Sequence, residues 1–467
     1  MTKSKCDLLV VGGGPGGYTA AIRGAQKGLN TILVEKNSLG GTCLNKGCVP
    51  TKTLLEDTRM IYEVQRSHFM KGKMTVDFKR LMEKKEMVVQ VSREGIKQVL
   101  LGNGVTIVSG TASFNSPKRM VVKEDDGGEK KIEAANIVLA TGAKPKYENG
   151  LSPDGDAVLN TDQALDMKSI PRTLVVVGAG IRGVEFASMY HNLGTKVVII
   201  EKKNRILPRL GWELAGRYKK HLLDHRINVL PRTSLVDIRN REDNRVTLIM
   251  ETGKGQKEVQ TDQVILTGDR YPCYDGLDIK AAGLALNKGI LEYDVHLETQ
   301  AKGVYLVGDA TGSPYLAHKA IAQGLKVVDH ILGKESGERD PFFPYCIYGN
   351  LEVATVGLTE DDAEEQDLDI KVGEFYFIGN GRANTIGRNE GGVTLISDAG
   401  TGKILGAHMI GPQSTELISL ATLAMQNKLT ISDIKKTVFP HPALGETFFE
   451  AALASDGEAI HMLQDSE

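Results

Sequence analysis

No stretch of about 18 apolar residues occurs in the sequence, which excludes a membrane-spanning helix. Cysteine is scarce and odd in number, too sparse in a chain of 467 residues for a secreted disulfide framework. Excess charge of one sign is also missing. Lys+Arg 57 against Asp+Glu 59 gives −2, which removes the electrostatic basis for binding nucleic acid or an anionic membrane. The apolar run 8–11 is too short for a signal h-region and meets glycine, so a cytoplasmic or organelle-matrix protein is expected. Aromatic residues are only 5%, yet apolar residues reach 41%. That is enough to offset chain entropy and exclude disorder. Glycine, by contrast, is abundant, with Gly 52 in the count. Its share is about 11%, against a usual share of about 7%. No collagen-like triplet absorbs it.

The clearest pattern is an internal repeat. Segments 6–35 and 172–201 each contain a continuous apolar run, a G-x-G-x-x-G turn, an amphipathic helix, a β-branched strand and a final glutamate. The turns are Gly12, Gly14, Gly17 and Gly178, Gly180, Gly183. The acids are Glu35 and Glu201, at the same distance beyond the first glycine in both. A strand before, a helix after and an acid about 20 residues on are the context of a dinucleotide site. The first glycine allows the tight turn, the second lets pyrophosphate approach backbone, and the third lets helix and strand pack. The glutamates accept from a ribose 2′-OH and repel a 2′-phosphate, which predicts NAD over NADP; Lys202 and Lys203 blur that preference. Two such sites imply two dinucleotides, most simply a flavin and a nicotinamide.

Helical spacing fills 53–100, an alternating meander fills 104–139, and a third buried strand is predicted in GVYLVGDATG, 303–312. From about 341 the composition changes to strands with turn punctuation and one apolar-striped helix, a separate α+β unit. Beside the first glutamate lies GGTCLNKGCVPTK. Its Cys43 and Cys48 fall about one helical turn apart if the segment starts a helix, close enough to bridge. Zinc would need two further ligands and none is near, so no metal site is predicted. A dithiol/disulfide exchanging electrons with flavin is the reading that fits the position.

These motifs, with ATGAKP, GAGIRGVEFAS, YLAHKA, RANTIG, LGAHMIGP and FPHPALGETFFEA, resemble the pyridine nucleotide–disulfide oxidoreductases over essentially the whole chain. Within them, LAHKA and HPALGE are similar to the dihydrolipoyl dehydrogenase branch. The resemblance implies FAD and NAD as cofactors. Cys43 would be the interchange thiol and Cys48 the charge-transfer thiol beside the flavin, with Lys52 near flavin N5 and paired to Glu185. Thr42, Thr141 and Gly142 would line the flavin site, Asp309 would bind the ribityl chain, and Leu316, Ala317 and His318 would start a helix whose positive end faces the flavin. His441 and Glu446 match the family's acid–base dyad. The dyad reaches across to the partner subunit in the family, which implies a homodimer.

The resemblance also implies lipoyl groups of a 2-oxoacid dehydrogenase or glycine-cleavage complex as partners. The chain departs from the pattern at Asp269, at Gly349-Asn350-Leu351, at Ala320-Ile321-Ala322-Gln323, at Gly211 and in HPALGE. None removes a catalytic group, but the departures leave open another low-molecular-weight disulfide, or a structural or diaphorase role in a complex. The expected fold is α/β, two Rossmann-like dinucleotide-binding domains plus a C-terminal α+β dimerisation domain. The expected divisions are 1–147 and 272–340 for FAD, 148–271 for NAD and 341–467 for the interface.

Overall fold

The computed structural model describes residues 2–72, 75–148, 150–242, 245–334 and 342–463. The expected division at 340/341 lies outside the described residues.

The run 8–11 is apolar at every position because both sides of its strand are covered. Strand Thr2–Val11 lies between two parallel neighbours, pairing Leu8 with Thr31 of Thr31–Glu35 and Leu9 with Ile137 of Glu129–Leu139. Thr106–Ser116 extends this sheet beyond Thr31–Glu35, and Val304–Leu306 closes the opposite edge against 137–139. Alternation along the strand sends Leu8 and Val10 to a core shared with Ala20, Ala21 and Val327. Leu9 and Val11 meet Phe114, Met120 and Leu284 on the other face. The outer halves of Thr106–Ser116 and Glu129–Leu139 are joined antiparallel through Arg119–Glu124, which is the predicted meander.

The second repeat builds a separate parallel sheet in the order 228–231, 196–201, 173–177, 263–266, 158–160. An antiparallel three-stranded sheet, 233–242, 245–252 and 255–261, stands beside it. The C-terminal part is a five-stranded antiparallel sheet ordered 345–347, 352–357, 404–411, 392–398, 370–376. Helices Ser414–Gln426 and Glu446–Ala454 share its core through Ile418, Ala421 and Phe448. The fold is therefore two Rossmann-like units and an α+β unit.

Two local expectations change. The predicted strand 303–312 is a strand only over Val304–Leu306, and Gly308–Thr311 is a 3-10 turn that Gly308 enters at φ +69°. The cysteine segment is two helices rather than one. Gly41–Lys46 ends at Gly47 (φ −143°, ψ −112°), and a 19-residue helix starts at Cys48 and runs to Arg66.

Candidate functional site

Both glycine turns are built alike. A Cβ at Gly17 would lie 1.8 Å from the Gly12 carbonyl oxygen, and one at Gly183 1.9 Å from that of Gly178, so helix and turn touch backbone to backbone. The middle glycines differ. A Cβ at Gly180 would meet no protein atom within 4 Å, and one at Gly14 would meet only Gly41 Cα at 3.8 Å. Their φ angles, −77° and −73°, suit any residue. The protein itself does not require glycine there; a phosphate resting on bare backbone does. Thr141 Oγ1 is likewise buried with no hydrogen-bond partner. These residues fit dinucleotides.

Glu35 Oε2 accepts from the Gly13 N–H at 2.6 Å and Glu201 Oε2 from the Ala179 N–H at 2.8 Å. Their second oxygens accept from Asn37 and Lys203 N–H groups at 2.8 and 2.9 Å. Each carboxylate is thus fixed at the rim of its turn with lone pairs left for ribose hydroxyls. Lys202 is paired with Glu148, which occupies one of the two cations beside Glu201.

One cavity of about 1820 Å³ is lined by both turns and by every predicted cofactor residue except Gly17, whose place is the helix–strand contact. Cys43, Cys48, Lys52 and Glu185 line it as well. Asn45 fixes the cysteine loop: its amide donates to the Leu39 and Gly41 carbonyls, both at 2.9 Å, and accepts from Arg93 Nε at 3.0 Å. The two cysteines stand on either side of the Gly47 break, close enough to perturb one another. Cys48 is lowered to about 7 by its interaction with Cys43, against burial and with help from the Lys52 charge. The same interaction, with burial, pushes the Cys43 thiol up. Cys48 opens its helix, where unpaired N–H groups favour a thiolate.

Lys52, one turn further along, donates to both oxygens of Glu185 at 2.9 and 2.8 Å. Glu185 is 2% exposed and also accepts from the Tyr348 N–H at 2.9 Å. The Lys52 ammonium stands 4.7 Å above the Tyr348 ring. Sequence reasoning missed Tyr348; a buried carboxylate that needs a second donor was the available signal. Lys52→Met leaves Glu185 buried without its cation and should lower the unfolding free energy by about 3 kcal/mol in urea titrations. It also removes a charge that favours the Cys48 thiolate, so ultraviolet thiolate absorbance should appear at higher pH than in the parent.

Asp309 faces Arg270 Nε at 3.7 Å, and burial raises its pKa against the opposing charges of Arg270 and Lys319. Gln323, one of the departures, holds this turn by accepting from the Gly308 N–H at 2.8 Å. Helix Ala317–Ile331 starts with no side-chain cap at Leu316, so its first N–H groups are open to the cavity; burial lowers the pKa of His318. The departure at 349–351 is packing. A Cβ on Gly349 would lie 2.9 Å from the Tyr218 hydroxyl, Leu351 is buried, and the Asn350 and Asn192 amides exchange hydrogen bonds at 2.8 Å.

His441 Nδ1 and Glu446 Oε1 are 2.8 Å apart. The other Glu446 oxygen accepts from the Ala443 N–H at 2.8 Å. Burial raises the Glu446 pKa, but the hydrogen bonds from Ala443 and His441 outweigh it and leave the carboxyl below its usual range. The His441 side chain is 75% exposed, and neither member lines the cavity that holds the cysteines.

The family model described as pyridine nucleotide-disulphide oxidoreductase matches residues 6–324, and the dimerisation domain of the same group matches 343–452. The dihydrolipoyl dehydrogenase of Thermus scotoductus is 37% identical over 98% of this chain and 99% of its own. Among solved structures, LpdA of Mycobacterium tuberculosis has a TM-score of 0.90 at 25% identity, covering 97% of this chain and 99% of that one. The HOCl-induced flavoprotein disulfide reductase RclA of Escherichia coli has a TM-score of 0.85 at 26% identity, covering 96% and 99%.

Proposed function

The chain belongs to the pyridine nucleotide-disulphide oxidoreductase family, and from that premise we infer that it oxidises dihydrolipoamide to lipoamide with NAD as electron acceptor. The observation that carries this reading is that two neighbouring cysteines and both glycine turns open into one cavity. Bound FAD, held by Gly12, Gly14, Glu35, Thr141, Gly142 and Asp309, supplies the two-electron relay between thiols and nicotinamide.

In the oxidised enzyme Cys43 and Cys48 form a disulfide. A dihydrolipoamide thiolate attacks Cys43 Sγ, the Cys43–Cys48 bond breaks, and Cys48 leaves as thiolate. The second substrate thiol then attacks its own mixed disulfide, releasing lipoamide and the Cys43 thiolate. The substrate loses two electrons and two protons; the cysteine pair gains the electrons, and the proton of the second substrate thiol ends on the released Cys43 sulfur. His441 Nε2 takes one proton while Glu446 holds Nδ1–H and balances the imidazolium. Cys48 is the better leaving group because its thiol is the lowered one, and Lys52 keeps a positive charge beside it. The family dimerises, and the exposed dyad serves the cysteine pair of the second subunit. The partners are lipoyl groups of a 2-oxoacid dehydrogenase or glycine-cleavage complex, and the setting is cytoplasmic. Residues 1–147 with 272–340, 148–271 and 341–467 serve as the FAD, NAD and interface domains.

Purified enzyme given dihydrolipoamide should form NADH, with NAD preferred over NADP by about tenfold or more in kcat/KM, a difference of about 1.4 kcal/mol. Glutathione turning over in place of dihydrolipoamide would overturn the substrate assignment.

A further inference from the structure

The two glycine turns differ at one position. The first reads Gly14-Pro15-Gly16-Gly17 and the second Gly180-Ile181-Arg182-Gly183, so Arg182 stands where the first turn has Gly16. In the first turn a side chain has no room: a Cβ on Gly16 would meet Val307 Cγ2 at 3.0 Å and the Ala320 carbonyl at 3.1 Å. In the second the space holds a guanidinium. It lines the shared cavity and donates to the Gly268 carbonyl at 2.9 Å and to Thr161 Oγ1 at 3.4 Å. Those contacts leave most of its five N–H donors unused.

Both partners are neutral. Among the described residues Arg182 makes no ion pair. Burial and the neighbouring Arg270 depress its pKa, against the opposing charges of Asp162 and Asp269. A guanidinium keeps its charge regardless, and a half-buried cation with no bonded anion bears part of the cost of desolvation. The missing anion has a natural source in the phosphate seat that Gly180 leaves bare, in the same turn.

We propose that Arg182 is an anion anchor for the incoming nicotinamide dinucleotide, its guanidinium neutralising the pyrophosphate seated at Gly180. The inference rests on the NAD reading of the second turn. It gives the two turns different chemistry: the first turn offers its phosphate only backbone, whereas the second adds a charged side chain. Binding at the second turn is then salt-sensitive, because part of its strength is a charge pair.

The test is calorimetric titration of the FAD-loaded enzyme with ADP-ribose and with NAD at two salt concentrations. Arg182→Ile should raise both dissociation constants about 10- to 100-fold, the loss of charge-assisted hydrogen bonds, and flatten the salt dependence. Arg182→Lys should recover part of the affinity and the salt dependence. Unchanged FAD absorbance and unfolding midpoint in both variants would separate this from a folding defect. Binding of ADP-ribose to Arg182→Ile within about twofold of the parent would overturn the proposal. A parent enzyme that binds no ADP-ribose would instead overturn the NAD reading beneath it.

Discussion

Cys48→Ser should reduce dihydrolipoamide-dependent NADH formation at least about a thousandfold, and Cys43→Ser should do the same, because a serine hydroxyl replaces the thiolate chemistry on which disulfide exchange depends. The two variants should differ in what remains. Cys43→Ser keeps Cys48 at the start of its helix beside Lys52, so a thiolate should still form around neutral pH. Its pKa should stay below the usual thiol range, since Lys52 and the start of the helix still favour the thiolate. Cys48→Ser keeps Cys43, whose thiol is raised first by its interaction with Cys48 and then by burial. The burial remains, so its alkylation should be slower at neutral pH than that of Cys48 in the first variant. Rapid alkylation by iodoacetamide at neutral pH in the first variant and slow alkylation in the second would support the assignment. Turnover surviving in either variant would end it.

His441→Gln should lower turnover with dihydrolipoamide about 10²- to 10⁴-fold, the usual weight of a general base. Thiol exchange needs its attacking sulfur deprotonated, and glutamine cannot accept that proton. The loss should shrink as pH rises, because substrate thiols then ionise without help; a rate ratio independent of pH would argue for a purely structural role. Glu446→Gln should give a smaller loss in the same direction. It leaves His441 in place but removes the carboxylate that holds Nδ1–H at 2.8 Å and stabilises the imidazolium. Steady-state profiles from about pH 6 to 9, spanning the imidazole and thiol ranges, distinguish these outcomes.

Much of this was legible in sequence because the relevant contacts are local. Gly12 and Gly17, or Gly178 and Gly183, touch each other within one turn, so their spacing alone announces the geometry. Glu35 and Glu201 were legible from their matching distance beyond the first glycine in both repeats, although their bonds to the Gly13 and Ala179 N–H groups, 22 positions back, were not foreseen. Lys52 and Glu185 lie 133 positions apart, and no periodicity connects them; the family resemblance did. Tyr348 and the Asn192–Asn350 amide pair were invisible. Each joins segments far apart in the chain, separated by 163 and 158 positions, through a packing choice without a motif. The helix break at Gly47 was missed because the segment reads as one helical turn. The chain leaves the helical region at Gly47 (φ −143°, ψ −112°), where a Cβ would lie 2.9 Å from the Thr42 carbonyl and only glycine fits.

The bond between Glu201 and the Ala179 N–H bears on efforts to exchange NAD for NADP by redesign. Removing the acid to admit a 2′-phosphate also deprives the glycine turn of an internal strut, since the same carboxylate holds the Ala179 and Lys203 N–H groups at 2.8 and 2.9 Å. A replacement with no acceptor in reach, such as alanine, would leave the Ala179 donor without a partner in a buried position. Cofactor specificity and loop architecture are therefore coupled through one side chain. Glu201→Gln, which removes the charge but keeps an acceptor, should admit a 2′-phosphate at a smaller cost in stability than Glu201→Ala, measured as unfolding midpoints of the two variants.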